Sequence, residues 1–312
     1  MIKIKAFTRL TLAGLIAAIA LMLVPMPGMA AAQEDVIAAA ADAYLNNPDT
    51  VFNISSEGLM GQMLDDNPPL VVSLRKAEDF AVGHVSGAIN MSLATLFENE
   101  NLSTLPDDKK IIVSCYTGHT ASQASALLNL CGYETTNLKW GIMGWTKDQA
   151  VATTQFVNPV ADLPVEIEAN NTTRTYERPS VDVTSSSVKS EIIKAACNTY
   201  ASAGAKNIKA GDLLDLIMDD DDSNDPVIVS IRSAEQYAKG HIPGAINIPF
   251  KEIAKVENLE KLNPDRQIVV YCYTGRTASQ ATAILNILGY DARNLLWGMT
   301  GWTNDPEIAP YR

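Results

Sequence analysis

The sequence predicts an α/β protein built twice over: two similar domains, each a mainly parallel sheet flanked by helices. Three observations predict it. Cys115 and Cys272 stand 157 residues apart, as do His84 and His241, and Trp140 and Trp297, and the offset holds without a gap from 71–145 to 228–302. A fixed offset of this kind marks a duplicated domain. Inside each copy, short apolar runs alternate with helical periodicity, the pattern of βα units. The chain has 312 residues, enough for two domains of ordinary size, each with its own core.

The elements of the second copy follow in order. Residues 226–229 read as a buried strand, preceded by an acidic run over 219–222. That run reads as a solvated loop, because four adjacent carboxylates lack the spaced ligands of a calcium site. Ser233 caps a helix over 234–239 that stops at Gly240. A second strand over 245–248 leads to a helical stretch over 250–256. A third strand, 268–271, ends directly on Cys272. Ala281, Ile284, Leu285 and Leu288 then recur at helical spacing until Gly289, and 294–297 is a last strand. The first copy repeats the order, with strands over 70–72, 89–91, 111–113 and 136–138 and a helix over 122–130. A further helix start precedes each copy, at Asn53 and at Asn207. Residues 33–150 and 191–312 are the two domains. The segment 151–190, rich in Thr, Asn, Pro and Ser, is an ordered connector ending in a polar linker near Thr184.

Residues 1–32 have the order of a secretory signal peptide: basic Lys3, Lys5 and Arg9, an apolar run over 10–24, then small Ala30, Ala31 and Ala32 before a polar start. The apolar run is shorter than the roughly 20 residues of a membrane span. An exported chain, periplasmic or extracellular and without stable membrane association after cleavage, is therefore expected. With 47% hydrophobic and 19% charged residues the composition is globular, and a net charge of −12 disfavours nucleic acid and anionic membrane surfaces as partners. Of the four cysteines, only Cys115 and Cys272 match across the repeat. Cys131 and Cys197 align with apolar positions of helical patterns and read as buried inert thiols.

Each matched cysteine ends a strand just before a helix, where open α/β sheets place their ligand sites. The residues between are short and contain a glycine: Tyr116, Thr117, Gly118, His119 and Thr120 in one copy, Tyr273, Thr274, Gly275, Arg276 and Thr277 in the other. A tight turn there aims successive backbone N–H groups inward as an anion nest, backed by the helix dipole. A thiolate is stabilised in such a nest and becomes a nucleophile without a neighbouring base.

Three motifs in order, found twice, resemble the rhodanese (sulfurtransferase) family. They are Gly240-His241 with Pro243, Gly244 and Ala245; the Cys272 loop; and Trp297, Gly298, Gly301 and Trp302. Their counterparts begin at Gly83, Cys115 and Trp140. The resemblance implies that Cys272 and Cys115 take a sulfane sulfur from a donor such as thiosulfate, hold it as a persulfide and pass it to a thiophilic acceptor, with no cofactor. It also implies that the loop N–H groups and the Thr277 or Thr120 hydroxyl contact the sulfur, that Arg276 attracts an anionic donor, and that His84 and His241 are structural. Ser230 and Ser73 stand where the family usually has an aspartate two residues before Arg232 and Arg75, which puts a structural ion pair in doubt. On loop charge, Cys272 is expected to be the principal site, and His119→Arg to strengthen the first.

Two other readings use the same residues. A phosphatase of this fold needs an arginine six positions after the cysteine, where Ala121 and Ala278 stand here. A non-enzymatic persulfide carrier would use both cysteines without turnover. The processing site is open to direct test: intact-mass measurement of the exported protein is expected to show a chain beginning at or near Gln33, and a full-length chain in the cytosol or membrane fraction would contradict it.

Overall fold

The computed structural model describes residues 31–153 and 162–311. Nearly all of the expected signal segment lies outside them. The first half runs α1 (Gln33–Asn46), β1 (Asn53–Ile54), α2 (Ser56–Gln62), β2 (Leu70–Ser73), α3 (Ala77–Val82), β3 (Ile89–Asn90), α4 (Leu93–Leu96) and α5 (Asn99–Leu102). It closes with β4 (Ile111–Ser114), α6 (His119–Leu130), β5 (Thr135–Leu138) and α7 (Gly141–Trp145). The second half repeats this as α8 (Lys189–Ser202), β6 (Asn207–Ile208), α9 (Ala210–Met218), β7 (Val227–Ser230), α10 (Ala234–Lys239) and β8 (Ile246–Asn247). A 3-10 turn (Phe250–Glu252), α11 (Val256–Leu259), β9 (Ile268–Tyr271), α12 (Arg276–Ile287), β10 (Ala292–Leu295) and α13 (Gly298–Trp302) complete it.

Each half forms a five-stranded parallel sheet, ordered β1-β5-β4-β2-β3 and β6-β10-β9-β7-β8. The α/β expectation holds. The central strands β4 and β9 are near-continuous β-branched runs buried along their whole length, as strands covered on both faces must be. The edge strands β1 and β6 have two residues each, too few to alternate, and the sequence shows only the helix starts beside them. At Ser233 the expected cap forms, its hydroxyl accepting from the Gln236 N–H. The helical stretch over 250–256 is instead a 3-10 turn and a separate short helix, and the last strand ends at Leu295, before Trp297.

The two halves share a core. Their outer sheet faces keep separate apolar clusters, one around Leu59, Ile112 and Leu138, the other around Leu213, Val269 and Trp302. Their inner faces merge into one cluster through α6 and α12, so the core is not divided as the repeat alone implies. The leading helices are exchanged across this seam: α1 packs on the 3-10 turn of the second half, and α8 packs on α4 of the first. Reciprocal hydrogen bonds fix the exchange. The Tyr44 hydroxyl donates to Gln280 Oε1 (2.8 Å) and the Tyr200 hydroxyl to Gln123 Oε1 (2.7 Å), all four side chains being buried or nearly so.

The connector is pinned along its described length. Glu166 and His241 form an antiparallel bridge, Arg178 pairs with Asp35 at 2.7 Å, and Gln33 in the first turn of α1 accepts from Val183 N and donates to Thr184 O. Cys197 is fully buried, as expected; Cys131 is only half-buried. The two come close across the seam, although no repeat relation links them: Cys197 Sγ lies 3.8 Å from the Leu127 carbonyl, which also accepts the Cys131 N–H. Burial pushes the Cys197 thiol well above its ordinary value.

Gln123 also bonds the Lys206 backbone through both ends of its amide. Gln123→Leu is expected to strand the buried Tyr200 hydroxyl and lower stability by about 1–3 kcal/mol in urea unfolding. Thr199→Ala, on the exposed face of α8, is expected to change it by less than about 0.5 kcal/mol.

Candidate active site

β4 and β9 deliver Cys115 and Cys272 to the carboxyl ends of the two sheets, and α6 and α12 begin four residues later. The turn between needs its glycine. Gly118 and Gly275 sit at φ +87° and +77°, in the left-handed region where a side chain is strained. A Cβ on either would also strike the opposite loop, 3.2 Å from Arg276 Nε and 3.0 Å from His119 Nε2. In the first loop the amides aim inward: Cys115 Sγ accepts the N–H of Gly118 at 3.1 Å and of Ala121 at 3.4 Å, at the positive end of α6. This is the expected anion nest.

A second helix start clamps each loop from behind. The Ile142 and Met143 N–H groups donate to the carbonyls of Cys115 and Tyr116, and Met299 and Thr300 do the same for Cys272 and Tyr273. Gly141 and Gly298 allow this approach, since a Cβ there would stand 2.4 Å and 2.3 Å from the cysteine carbonyl oxygens. Trp140 and Trp297 precede them at φ +72° and +67°. Tyr116 and Tyr273 anchor the loop fronts, donating to Asp79 and Gln236.

The two loops face one another across the seam. The Arg276 guanidinium donates through Nε (3.1 Å) and Nη2 (2.9 Å) to the Thr117 carbonyl of the other loop, and through Nη1 to its own Thr274 carbonyl. It lies over the Trp140 indole, 3.4 Å from the ring centroid, with the Trp297 centroid 5.4 Å away. His119 mirrors it. Its Nε2–H donates to the Thr274 carbonyl at 3.0 Å, and Nδ1 accepts from the Thr117 hydroxyl at 2.8 Å. Burial, with Arg276 beside it, pushes the His119 imidazole down to about 3. Burial lowers Arg276 to about 9 while the Cys272 and Cys115 sulfurs pull it upward, so it stays cationic at neutral pH.

These positions correct the expected roles of the two residues. Both side chains are almost wholly buried, Arg276 at 1% exposure and His119 at 2%. His119 fills the seam between the loops and has both ring nitrogens occupied. Arg276 belongs to neither loop alone, because its charge reaches both sulfurs. An arginine at 119 would push a second guanidinium into a seam that already holds one, so the expected gain from His119→Arg does not follow.

One pocket of about 440 Å³ opens on Cys272. The second half contributes the loop itself, Tyr273, Thr274, Arg276 and Thr277, with Tyr311 from the chain end; the first half contributes Asn53, Ser55 and Lys139. Thr120 holds the matching place in the first turn of α6, half-buried. Sequence reasoning did not bring Lys139, Asn53, Ser55 or Tyr311 here. The only signal was a break in the repeat, since Leu296 stands opposite Lys139. His84 and His241 lie away from the sulfurs, each bonding through Nδ1 to the carbonyl four residues earlier and stacking on that residue's ring. Arg232 uses the Ser230 hydroxyl and the Gly240 carbonyl instead of an ion pair; Arg75 donates to the carbonyls of Asp79, Gly83 and Val151.

The rhodanese-like domain profile matches residues 57–148 and again 209–305, most of the chain. The chain belongs to the rhodanese-like family. It is similar to the putative sulfur carrier protein YrkF of Bacillus subtilis, 35% identical over 26% of this chain and 43% of that one. It is similar also to the thiosulfate sulfurtransferase PspE of Escherichia coli (42%, over 20% of this chain and 60% of that one) and to a sulfurtransferase of Allochromatium vinosum (34%, 28% and 84%). The chain thus spans about half the length of the first two. Each match is the size of one rhodanese domain, in keeping with the duplication.

The buried rhodanese seam gives stability a pH dependence. His119 titrates near 6.5 when unfolded and near 3 when folded, so the unfolded chain binds the extra proton between those values. Its contribution is complete above pH 6.5 and is lost as pH falls toward 3, on the order of 5 kcal/mol in all. His119→Gln, which keeps a donor for the Thr274 carbonyl, is expected to flatten the pH 4–7 stability profile relative to the unchanged protein in urea unfolding. His119→Arg is expected to destabilise the protein at every pH in that range.

Proposed function

We propose that the protein is a sulfurtransferase that carries sulfane sulfur on cysteine, with Cys272 as the principal nucleophile and Cys115 as a second, less accessible one. The observation that carries this reading is the loop itself: a thiol at the end of a parallel strand, on a three-residue turn, with helix-terminal N–H groups converging on sulfur as they do on Cys115 Sγ. Such an environment stabilises the thiolate and then the anionic persulfide. With thiosulfate as donor, the Cys272 thiolate attacks the outer sulfur, a Cys–S–S bond forms, the sulfur–sulfur bond of thiosulfate breaks, and sulfite leaves with the electron pair. An acceptor thiolate then attacks the outer sulfur of the persulfide and regenerates the cysteine thiolate. No external oxidant, metal or organic cofactor enters the balance.

Tyr273, Thr274, Gly275 and Thr277 form the cradle at Cys272, and Tyr116, Thr117, Gly118 and Thr120 that at Cys115. Arg276 acts on both sulfurs as a shared cation, with His119 as its neutral partner. Access ranks the two sites: Cys272 lines the 440 Å³ pocket, whereas Cys115 is 3% exposed. The turn is one residue short for a phosphatase, whose arginine position is filled by Ala278 and Ala121. A carrier without turnover is separated from an enzyme by steady-state kinetics. Export of a chain beginning near Gln33 is part of the proposal and rests on the order of residues 1–32.

Cys272→Ser is expected to lower thiosulfate-dependent turnover by about two orders of magnitude or more, and Cys115→Ser by less than about threefold. Mass spectrometry after thiosulfate treatment should find the extra sulfur on Cys272 first. The ranking fails if Cys115→Ser is the more damaging change.

A further inference from the structure

The pocket over Cys272 has a charge that the rest of the chain does not share. The protein carries a net −12, yet no aspartate or glutamate is among the residues lining this pocket, which include Arg276 and Lys139. Arg276 already donates to the carbonyls of Thr117 and Thr274 through Nε, Nη1 and Nη2. Lys139 is placed differently. It follows β5 of the first half and is held there by its backbone N–H donating to the Ile54 carbonyl at 2.8 Å. Its half-buried side chain crosses to the second half, with Nζ 5.7 Å from the ring centroid of Tyr311. Among the described residues it has no carboxylate partner. An ammonium held against a pocket without a counter-charge is a ready anchor for an anionic group.

The volume says what kind of anion. About 440 Å³ falls in the range of pockets for small organic ligands. A single inorganic oxyanion leaves most of it empty. One wall is aromatic and borders Lys139: Tyr311 packs edge-on against Tyr273, centroids 5.1 Å apart at 70°, and its carbonyl is tied to the Thr300 hydroxyl. Aromatic faces suit the methylene body of a ligand whose charged end is bound elsewhere.

We propose that Lys139, from the first half, is the specificity-determining residue of the Cys272 site, and that it binds the carboxylate of an organic thiol acceptor whose body lies against Tyr273 and Tyr311. The assignment rests on the sulfur-transfer reading above. The acceptor thiolate attacks the outer sulfur of the Cys272 persulfide, the Cys–S–S bond breaks toward the cysteine, and the acceptor leaves as its own persulfide with its carboxylate unchanged. The site is therefore composite: the chemistry is on one half and the anchor on the other. Leu296, the repeat partner of Lys139, has no charge to offer.

The test compares 3-mercaptopropionate with 2-mercaptoethanol as acceptors at saturating thiosulfate, in the full chain. Lys139→Gln is expected to raise KM for 3-mercaptopropionate by about tenfold, the low end for a charged hydrogen bond at a partly exposed site, and to change KM for 2-mercaptoethanol far less. Lys139→Arg is expected to restore most of the difference. Equal effects on both thiols, or none on either, would overturn the assignment. If the unchanged protein transfers no sulfur to any acceptor, the functional reading falls and the anchor is still tested by calorimetry with the unreactive thioether 3-(methylthio)propionate. Binding about tenfold weaker in Lys139→Gln supports it; equal binding, or none in the unchanged protein, sinks it.

Discussion

The structure depends on how the two cysteine loops meet. Each turn leaves a carbonyl, Thr117 or Thr274, pointing into the seam between the halves. A buried acceptor without a donor costs about 1–3 kcal/mol, so both need partners. Arg276 meets both, donating across the seam to Thr117 and within its own loop to Thr274, and His119 adds a second donor to Thr274 from the other copy. A strictly repeated chain would put the same residue at both places. Two arginines would hold like charges in one seam, and two unit charges 4 Å apart repel by about 4 kcal/mol even at an effective dielectric of 20. Two histidines would keep the bonds but leave no cation beside the sulfurs. One arginine and one neutral histidine satisfy both carbonyls and keep a single positive charge within reach of both cysteines. The one-residue difference between otherwise matching loops is thus what allows them to pack together.

From that contact the rest of the architecture follows. Loops that share hydrogen bonds cannot be placed by halves that move independently, and the halves are accordingly locked. α6 and α12, which start at the loops, pack on each other, and their inner faces build one apolar core. Gln123 and Gln280, one turn farther along these helices, receive the tyrosines of the exchanged leading helices. Trp140 and Trp297 close the seam over Arg276 and then start the short helices whose N–H groups clamp the cysteine carbonyls. The tryptophan-glycine motif therefore does two things at once: its indole covers the shared cation, and its glycine lets backbone approach backbone.

What the sequence made legible was local or repeated. The β-branched runs of β4 and β9, the Ser233 cap and the cysteine-to-helix turn all declare themselves within a dozen residues, and duplication told chance from design. Edge strands of two residues carry no periodicity and could not be read. The side chains that cross the seam were hidden for a different reason. A repeat shows which residues are equivalent but not which of them touch, so Arg276 read as the charge of its own loop, and Cys131 and Cys197 as unrelated thiols. Lys139 was missed because a lysine after a strand looks like any solvated residue until the opposite half is placed against it. The departures from the repeat, His119 against Arg276 and Lys139 against Leu296, were visible all along. Both mark places where one half faces the other.

Duplication starts with two equal sites, and packing them face to face ends the equality. Across a two-fold-like seam each loop borrows its surroundings from the opposite copy, so a substitution in one half alters the site of the other. Lys139 sits on the half that carries Cys115 yet lines the pocket of Cys272. Arg276 sits on the half that carries Cys272 yet bonds the loop of Cys115. In a chain this acidic, two cations at one opening set a local field opposite in sign to the surrounding surface, and a cleft with low-dielectric walls concentrates that field where an anion enters. A pocket of that sign suits an anion, in a chain whose net charge is otherwise negative. That arrangement needs both copies, because neither half alone carries Cys272 together with the lysine that lines its pocket.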